Sequence, residues 1–171
     1  MQLRLLTQRQ LLCSMMLLPA IAHPPRTGGR LDVAGTIALT ASPGTALKKD
    51  AAGRAAFIGE SKGKNQSTGT TEFMNGATVA SADTANLVDG TGPHHGTITM
   101  SQGADQVVFA WTGRVTTVPA ADKTPHSTYA GTWTVLRGSG RHAGASGHGT
   151  YTGRFTSGTE SVTEWAGTID R

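Results

Sequence analysis

The chain has 171 residues, including 23 glycines, and its 15 Lys and Arg residues against 11 Asp and Glu give a formal net charge of +4. This length suits one domain, and so small an excess of basic residues does not imply a nucleic-acid partner. The single cysteine, Cys13, lies in a segment that we expect to be removed, which excludes disulfides and cysteine catalysis from the mature protein.

The N-terminus has the layout of a secretory signal peptide. Arg4 and Arg9 precede an apolar body at residues 11–18, and Ala20 and Ala22 form a small-x-small cleavage site. The apolar body is shorter than the roughly 20 residues that a membrane span needs. We therefore expect a secreted or periplasmic protein without a stable membrane anchor, the alternative being an uncleaved anchor.

Three segments follow from this reading: a signal peptide at residues 1–22, a flexible segment at residues 23–30 and one domain at residues 31–171. Removal of the first segment takes away two basic residues and no acidic one, so the formal charge falls from +4 to +2. The mature surface is thus only weakly basic, and we expect no nucleic-acid partner.

The first half of the predicted domain holds one clear strand. From Leu31, apolar and polar residues alternate as in a strand with one buried face. We interpret residues 48–53 as a polar loop with one helical turn and residues 61–69 as an exposed hairpin or loop. The latter contains Asn65, whose glycosylation sequon has meaning only in a host that glycosylates. Another short strand is predicted to begin at residues 57–60, and weaker strands are predicted at residues 70–74, 77–82 and 86–88.

The second half is rich in Thr, Val, Ile and aromatic residues and predicts five strands. These strands lie at residues 96–101, 106–118, 129–137, 149–155 and 161–169. After residue 22, no apolar stripe of helical period persists for ten residues. We therefore predict an all-β protein whose sheet is closed or nearly closed to protect its edges. Glycines within the strands mark the bends of a barrel: Gly35, Gly113, Gly131, Gly153 and Gly167.

One hairpin carries a family resemblance. Residues 138–149 read Gly-Ser-Gly-Arg-x-Ala-Gly-Ala-Ser-Gly-x-Gly and resemble the GGTGxFxGAxG hairpin of the allene oxide cyclase and dirigent-like barrel proteins. The strand entry at residues 89–96 is similar to that of small exported bacterial members. Two departures are His142, where the hairpin usually has an aromatic residue, and Leu136-Arg137, which replaces the usual first glycine region.

The resemblance implies a single antiparallel eight-stranded barrel with an apolar central cavity, associated into dimers or trimers. Members steer the ring closure of an unstable fatty-acid epoxide or hold phenoxy radicals for stereoselective coupling, in both cases by confinement and without a cofactor. A small hydrophobic or amphipathic ligand and a cofactor-free isomerase or cyclase follow as expectations. The alternative is a non-catalytic structural or interaction barrel with a filled interior. No catalytic residue of the family can be carried onto this sequence.

Strand parity places aromatic residues on faces that should meet in the interior. Phe109 and Trp111 share one face, Tyr129 and Trp133 share the next, and Arg137 ends that second face on the same parity. We predict that these five residues bind the ligand, with Arg137 receiving the carboxylate of an amphipathic molecule through a forked hydrogen-bond pair. The alternative is that the aromatic residues are plain core and Arg137 is solvated.

The positions of the carboxylates and histidines bear on proton transfer and metal binding. Glu60, Glu72 and Glu164 lie nearest the interiors of predicted strands and are candidates for proton transfer, unless they simply face water. The histidines have no HxH or HExxH spacing, so we expect neither a metal site nor a cofactor. We expect His142 and His148 to flank a surface turn.

Overall fold

Within the residues that the structure describes, nine strands form one antiparallel sheet that closes on itself as an eight-stranded barrel. The computed structural model describes residues 29–44, 46–119 and 125–171. The predicted signal peptide with Cys13, and residues 23–28 of the predicted N-terminal segment, lie outside the described residues. The strands are β1 (Arg30–Ala41), β2 (Ala46–Lys49), β3 (Arg54–Ser67), β4 (Thr78–Val88), β5 (Gly92–Gln102), β6 (Asp105–Pro119), β7 (Pro125–Ser139), β8 (Ser146–Phe155) and β9 (Glu160–Asp170), with a 3₁₀ turn at Gly140–His142.

The barrel closes because β1 pairs on one side with β9 and on the other with β3. β1 lies opposite the second half of β3, where Gly35 faces Ser67 and Ala41 faces Ser61. β2 lies opposite the first half of β3, so β1 and β2 together occupy one position of the barrel. The prediction of an all-β, closed antiparallel sheet is confirmed, and the five strands predicted in the second half correspond to β5–β9.

Alternate residues of each strand point inward and build one core. In β1, Val33, Ile37 and Leu39 are buried, as the alternation from Leu31 predicts. Across the interior, Phe109 packs edge-to-face on Trp133 with ring centroids 5.4 Å apart. The predicted meeting of the β6, β7 and β9 faces is confirmed, because their apolar members belong to one core cluster: Val107, Phe109, Trp111, Val115, Tyr129, Trp133, Val135, Trp165 and Ile169.

The prediction for residues 61–69 is wrong, because most of this segment belongs to β3. Its outward residues, Lys62, Lys64 and Gln66, are polar as expected of an exposed face. Its inward residues, which include Ser61 and Asn65, are also small or polar, yet both side chains are buried. With polar residues on both faces, the strand has no apolar alternation to reveal it.

Three further predictions in the first half need correction. Residues 48–53 hold the end of β2 and a turn rather than a loop with a helical turn. Residues 70–74 form turns and bends, not a strand. The segments predicted at residues 77–82 and 86–88 form a single strand, β4, which begins at Thr78 and continues through residues 83–85.

The segment between β3 and β4 closes one end of the barrel. Phe73 is 1% exposed and packs on Trp165, with ring centroids 6.2 Å apart. His142, from the 3₁₀ turn, closes the same end and lies 5.1 Å from Phe73 between ring centroids. His142 and His148 do lie at an exposed turn, as expected, but the side chain of His142 points inward and is 3% exposed, whereas His148 is exposed. We call this end, formed by residues 68–77 and 140–145, the closed end.

Inward glycines make room for the aromatic residues of the core. A Cβ atom on Gly153 would overlap the ring of Tyr129, and one on Gly149 would overlap the indole of Trp133. The aromatic rings thus lie against glycine backbone on neighbouring strands, where the bent sheet has no room for a further side chain.

Candidate functional site

An interior cavity of about 200 Å³ lies at the end of the barrel opposite the closed end. Its mouth is at the turn between β8 and β9, where Gly158, Thr159 and Glu160 are exposed. Apolar side chains make up most of its wall. The aromatic members of the wall are Phe57, Phe109, Trp111, Tyr129, Trp133, Tyr151, Phe155 and Trp165.

Four of the five predicted ligand-binding residues line this cavity. Phe109 and Trp111 reach it from β6, and Tyr129 and Trp133 reach it from β7. They meet there because the two strands pair in register, with Trp111 directly opposite Trp133. Same-face neighbours on paired strands necessarily turn their side chains to the same side of the sheet.

Arg137, the fifth predicted residue, does not line the cavity. A register shift between β6 and β7 pairs Phe109 with Val135 but Val108 with Arg137, so that Leu136 has no partner. This bulge reverses the parity of the strand beyond Val135. Arg137 is consequently exposed on the outer face, and the expectation that it shares the inward face of Tyr129 and Trp133 is wrong.

A buried His–Tyr pair lies in the cavity wall. Tyr151 Oη and His94 Nε2 are 3.0 Å apart, and His94 packs on Trp111 with ring centroids 4.7 Å apart. Burial lowers the pKa of His94 to about 4, with a smaller contribution from neighbouring His95. Burial also raises the pKa of Tyr151 above its ordinary value. At neutral pH the pair is therefore an uncharged imidazole beside an uncharged phenol.

A second phenol, that of Tyr129 on β7, is hydrogen-bonded to β9. Tyr129 Oη lies 2.8 Å from Thr163 Oγ1 and donates to the carbonyl oxygen of Val162 at 3.3 Å. Burial raises the pKa of Tyr129, so this phenol also stays protonated near neutral pH. Both cavity tyrosines thus use their hydroxyl groups within the protein, and their rings face the remaining space with few polar atoms.

Asp83 is one of two carboxylates among the described residues that line the cavity, the other being Glu160 at the mouth. Asp83 points inward from β4, where Oδ1 accepts a hydrogen bond from Ser81 Oγ at 2.5 Å and Oδ2 lies 3.5 Å from Ser61 Oγ. Burial raises the pKa of Asp83, and the two serine hydroxyls only partly oppose that effect. Within the described residues, no Lys, Arg or His nitrogen lies within 4.0 Å of its carboxylate oxygens.

Sequence reasoning selected other carboxylates. Glu60, Glu72 and Glu164 are all exposed, and none of them lines the cavity. Asp83 escaped notice because the strand that carries it was divided into two short predicted segments. The signal that could have found it is the inward row Val79, Ser81, Asp83, Ala85, Leu87, which keeps one parity throughout β4.

The histidines are spread over different parts of the barrel. His94 points into the cavity whereas His95 is exposed, as adjacent residues of a strand must alternate. His142 lies at the closed end, and His126 and His148 are exposed. Among residues 29–44, 46–119 and 125–171, no three His, Cys, Asp or Glu side chains are grouped as metal ligands would be.

Comparison of the chain with protein-family models, curated proteins and solved structures found no match. The resemblance to allene oxide cyclase and dirigent-like proteins stays a prediction from the residue 138–149 hairpin. In the part of the chain that the structure describes, no helix has the length and apolar character that a membrane span requires.

Proposed function

We propose that the protein binds a small hydrophobic or amphipathic molecule inside the barrel. The observation that carries this proposal is the open cavity of about 200 Å³, whose wall combines many aromatic rings with a few polar groups. Concave, mostly apolar sites with few convergent polar groups are typical of small-molecule binding. An apolar cavity of about 150 Å³ accepts benzene, so this cavity has room for a one-ring body, and a longer molecule would extend through the mouth.

Catalysis at this site would be cofactor-free isomerisation or cyclisation of the allene oxide cyclase or dirigent-like type. Such reactions depend mainly on holding a reactive molecule in one conformation, which a rigid aromatic cavity favours. Asp83 and the His94–Tyr151 pair would supply the groups that accept or donate a proton, since both lie in the wall with pKa values displaced by burial. Export from the cytoplasm and assembly into dimers or trimers belong to the same proposal.

The rival function is a non-catalytic structural or interaction barrel. Ile58 and Val88 favour it, because these large apolar side chains are 68% and 55% exposed on the outer face of β3 and β4. The cavity is evidence against a purely structural function, because a barrel that acts only through its exterior would function equally well with a filled interior.

Native mass spectrometry of the protein exported by its own host separates the two functions. The measurement records the subunit count and any small molecule that is retained and then released on denaturation. We expect a retained molecule with an apolar ring or chain. An empty protein that also gives no thermal shift with fatty acids, phenols or amines would favour the structural barrel.

Substitution in β4 then tests whether the molecule occupies the cavity. Ala85 is 6% exposed and lines the cavity, whereas Ala82 is exposed on the outer face of the same strand. Ala85→Met should fill part of the space and lower the affinity about tenfold or more, while the control Ala82→Met should leave affinity unchanged. Equal affinities in both variants would place the binding site outside the barrel.

A further inference from the structure

The cavity has an unbalanced set of charged groups. Two carboxylate residues line it, Asp83 in the wall and Glu160 at the mouth, and no Lys or Arg is among the described lining residues. The one histidine in the wall, His94, is neutral near pH 7 because burial lowers its pKa to about 4. The basic residues of the strands instead lie at exposed positions, as seen for Lys62, Lys64, Arg114, Arg137 and Arg154. A ligand in the cavity therefore meets carboxyl groups with no lysine or arginine among the described lining residues.

The location of the Asp83 carboxylate lowers the stability of the ligand-free protein. The carboxylate is half-buried, and its hydrogen bonds come from the neutral hydroxyls of Ser61 and Ser81. Within the described residues, no basic side chain lies within 4.0 Å to form an ion pair with it. A buried charge without a partner destabilises a folded protein. A positively charged ligand group would offset that cost, whereas a carboxylate ligand would increase it.

The aromatic wall adds a second attraction for a cation. The rings of Trp111, Tyr129 and Tyr151 lie around His94 at centroid distances of 4.7, 5.6 and 5.9 Å. Trp111 and Tyr151 are themselves 5.9 Å apart, in an edge-to-face arrangement. Electron-rich tryptophan and tyrosine rings grouped in this way attract organic cations, Trp most strongly. Because Thr163 and His94 already engage the two phenol hydroxyls, the tyrosines present their rings more than their hydroxyls.

We propose that the ligand of this cavity is a small organic cation, an amine or quaternary ammonium on a one-ring body, whose charge is received by Asp83 among the rings of Trp111, Tyr129 and Tyr151. This inference rests on the proposed function, because it names the class of molecule that the cavity binds. It replaces the expectation of a ligand carboxylate held by Arg137. The two hypotheses differ in the charge of the ligand. A ligand carboxylate requires a guanidinium in the cavity wall, whereas the wall contains the carboxyl group of Asp83.

Three probes with the same phenylethyl body test the charge preference: 2-phenylethylamine, 2-phenylethanol and 3-phenylpropionate. Calorimetric titration of the full-length protein at pH 7.5 should give a Kd for the amine about tenfold or more below that for the alcohol, with the carboxylate weakest. Asp83→Asn should remove most of the preference for the amine, measured as the ratio of the Kd values for the alcohol and the amine. The matched control is Asp32→Asn, an exposed carboxylate on β1, which should leave all three affinities unchanged.

The outcomes separate this inference from the function on which it rests. If the alcohol or carboxylate binds as tightly as the amine, or if Asp83→Asn leaves the preference intact, the cation assignment is overturned and small-molecule binding stands. If none of the three probes binds and the exported protein retains no molecule, both are overturned. An amine preference that disappears in Asp83→Asn but persists in Asp32→Asn supports both.

Discussion

Trp165 Nε1 donates a hydrogen bond to Asn65 Oδ1 at 2.9 Å, although the two residues are 100 positions apart in the chain. The amide nitrogen of the same Asn65 donates to the carbonyl oxygens of Phe73 and Met74, at 3.2 and 3.0 Å. Met74 has a φ of 50°, which is uncommon for a residue other than glycine. One buried side chain thus joins β3, β9 and the segment that closes the end of the barrel. It also means that a glycan on Asn65 is incompatible with this fold.

Asn65→Ala should therefore be strongly destabilising. The substitution leaves a buried indole N–H and the carbonyl oxygen of Phe73 without partners, and each orphaned group costs about 1–3 kcal/mol. The carbonyl oxygen of Met74 loses one hydrogen bond and keeps the one from the backbone N–H of Ala77. We expect the free energy of unfolding, measured in urea, to fall by about 3 kcal/mol or more. The control is Gln66→Ala, an exposed neighbour on the same strand, which should change it by less than about 0.5 kcal/mol. Similar costs in the two variants would show that the Asn65 hydrogen bonds do not hold the closed end.

The hydrophobic pattern predicts most of the barrel but not all of it. The strands of the second half have apolar inner faces, so Phe109, Trp111, Tyr129 and Trp133 could be placed together before any coordinates were known. The second half of β3 could not be found in this way, because its inward residues are Ser61, Gly63, Asn65 and Ser67. These residues are satisfied by hydrogen bonds across the barrel, which no local pattern in the sequence records.

The candidate site was only partly predictable for a related reason. The alternation of inward and outward residues along a strand predicts side-chain direction only as far as the first bulge. The bulge beyond Val135 places Arg137 on the outer face. Asp83 enters the cavity between Ser81 and Ala85 on β4, and Tyr151 enters it between Gly149 and Gly153 on β8, so neither has a large inward neighbour two positions away on its own strand. Their importance comes from what surrounds them in space, such as the contact of Tyr151 with His94 across 57 positions of sequence.

Asp83→Asn should stabilise the ligand-free protein at pH 7.5. Burial raises the pKa of Asp83, so the charged carboxylate destabilises the folded protein at any pH above the pKa of the folded state. Removal of the charge should increase the free energy of unfolding by about 1 kcal/mol, and asparagine can still accept the hydrogen bond from Ser81. The gain should shrink as the pH falls and the wild-type carboxyl becomes protonated.

Urea denaturation between pH 7.5 and pH 4.5 tests this expectation. The exposed Asp32→Asn substitution serves as the control and should change stability by less than about 0.5 kcal/mol. A loss of stability in Asp83→Asn would mean that the carboxylate is stabilised by a partner that its surroundings do not reveal.

His94 should make the barrel sensitive to mild acid. The pKa of His94 is about 4 in the folded protein and near 6.5 in an unfolded chain. Between these values the unfolded chain binds more protons than the folded protein, so stability falls as the pH falls from about 6.5 to about 4 and then levels off. Because the ring borders an open cavity where water screens part of the cost, we expect this contribution to be about 1–2 kcal/mol.

His94→Gln should remove this contribution, since glutamine does not titrate and can still accept a hydrogen bond from Tyr151. The quantity to measure is the difference in unfolding free energy between the wild type and the variant, followed from pH 7.5 to pH 4. His142 adds a pH dependence of the same sign, because burial lowers its pKa as well, but it is common to both proteins and cancels. The exposed His148→Gln variant is the control. A difference that does not vary with pH would contradict the burial of a neutral His94.

Two cavity tryptophans differ in one hydrogen bond and should respond differently to phenylalanine. Trp133 Nε1 donates to the carbonyl oxygen of Thr150 at 3.2 Å, whereas Trp111 Nε1 is buried and meets no acceptor among the described residues. Both substitutions remove the same atoms, so the loss of volume is matched. Trp133→Phe also loses a hydrogen bond, and Trp111→Phe relieves an unsatisfied donor that costs about 1–3 kcal/mol. We expect Trp133→Phe to be the more destabilising by about 1–2 kcal/mol in urea denaturation. Equal costs would mean that Trp111 Nε1 has an acceptor in solution, and water held in the cavity beside it would then be the first candidate.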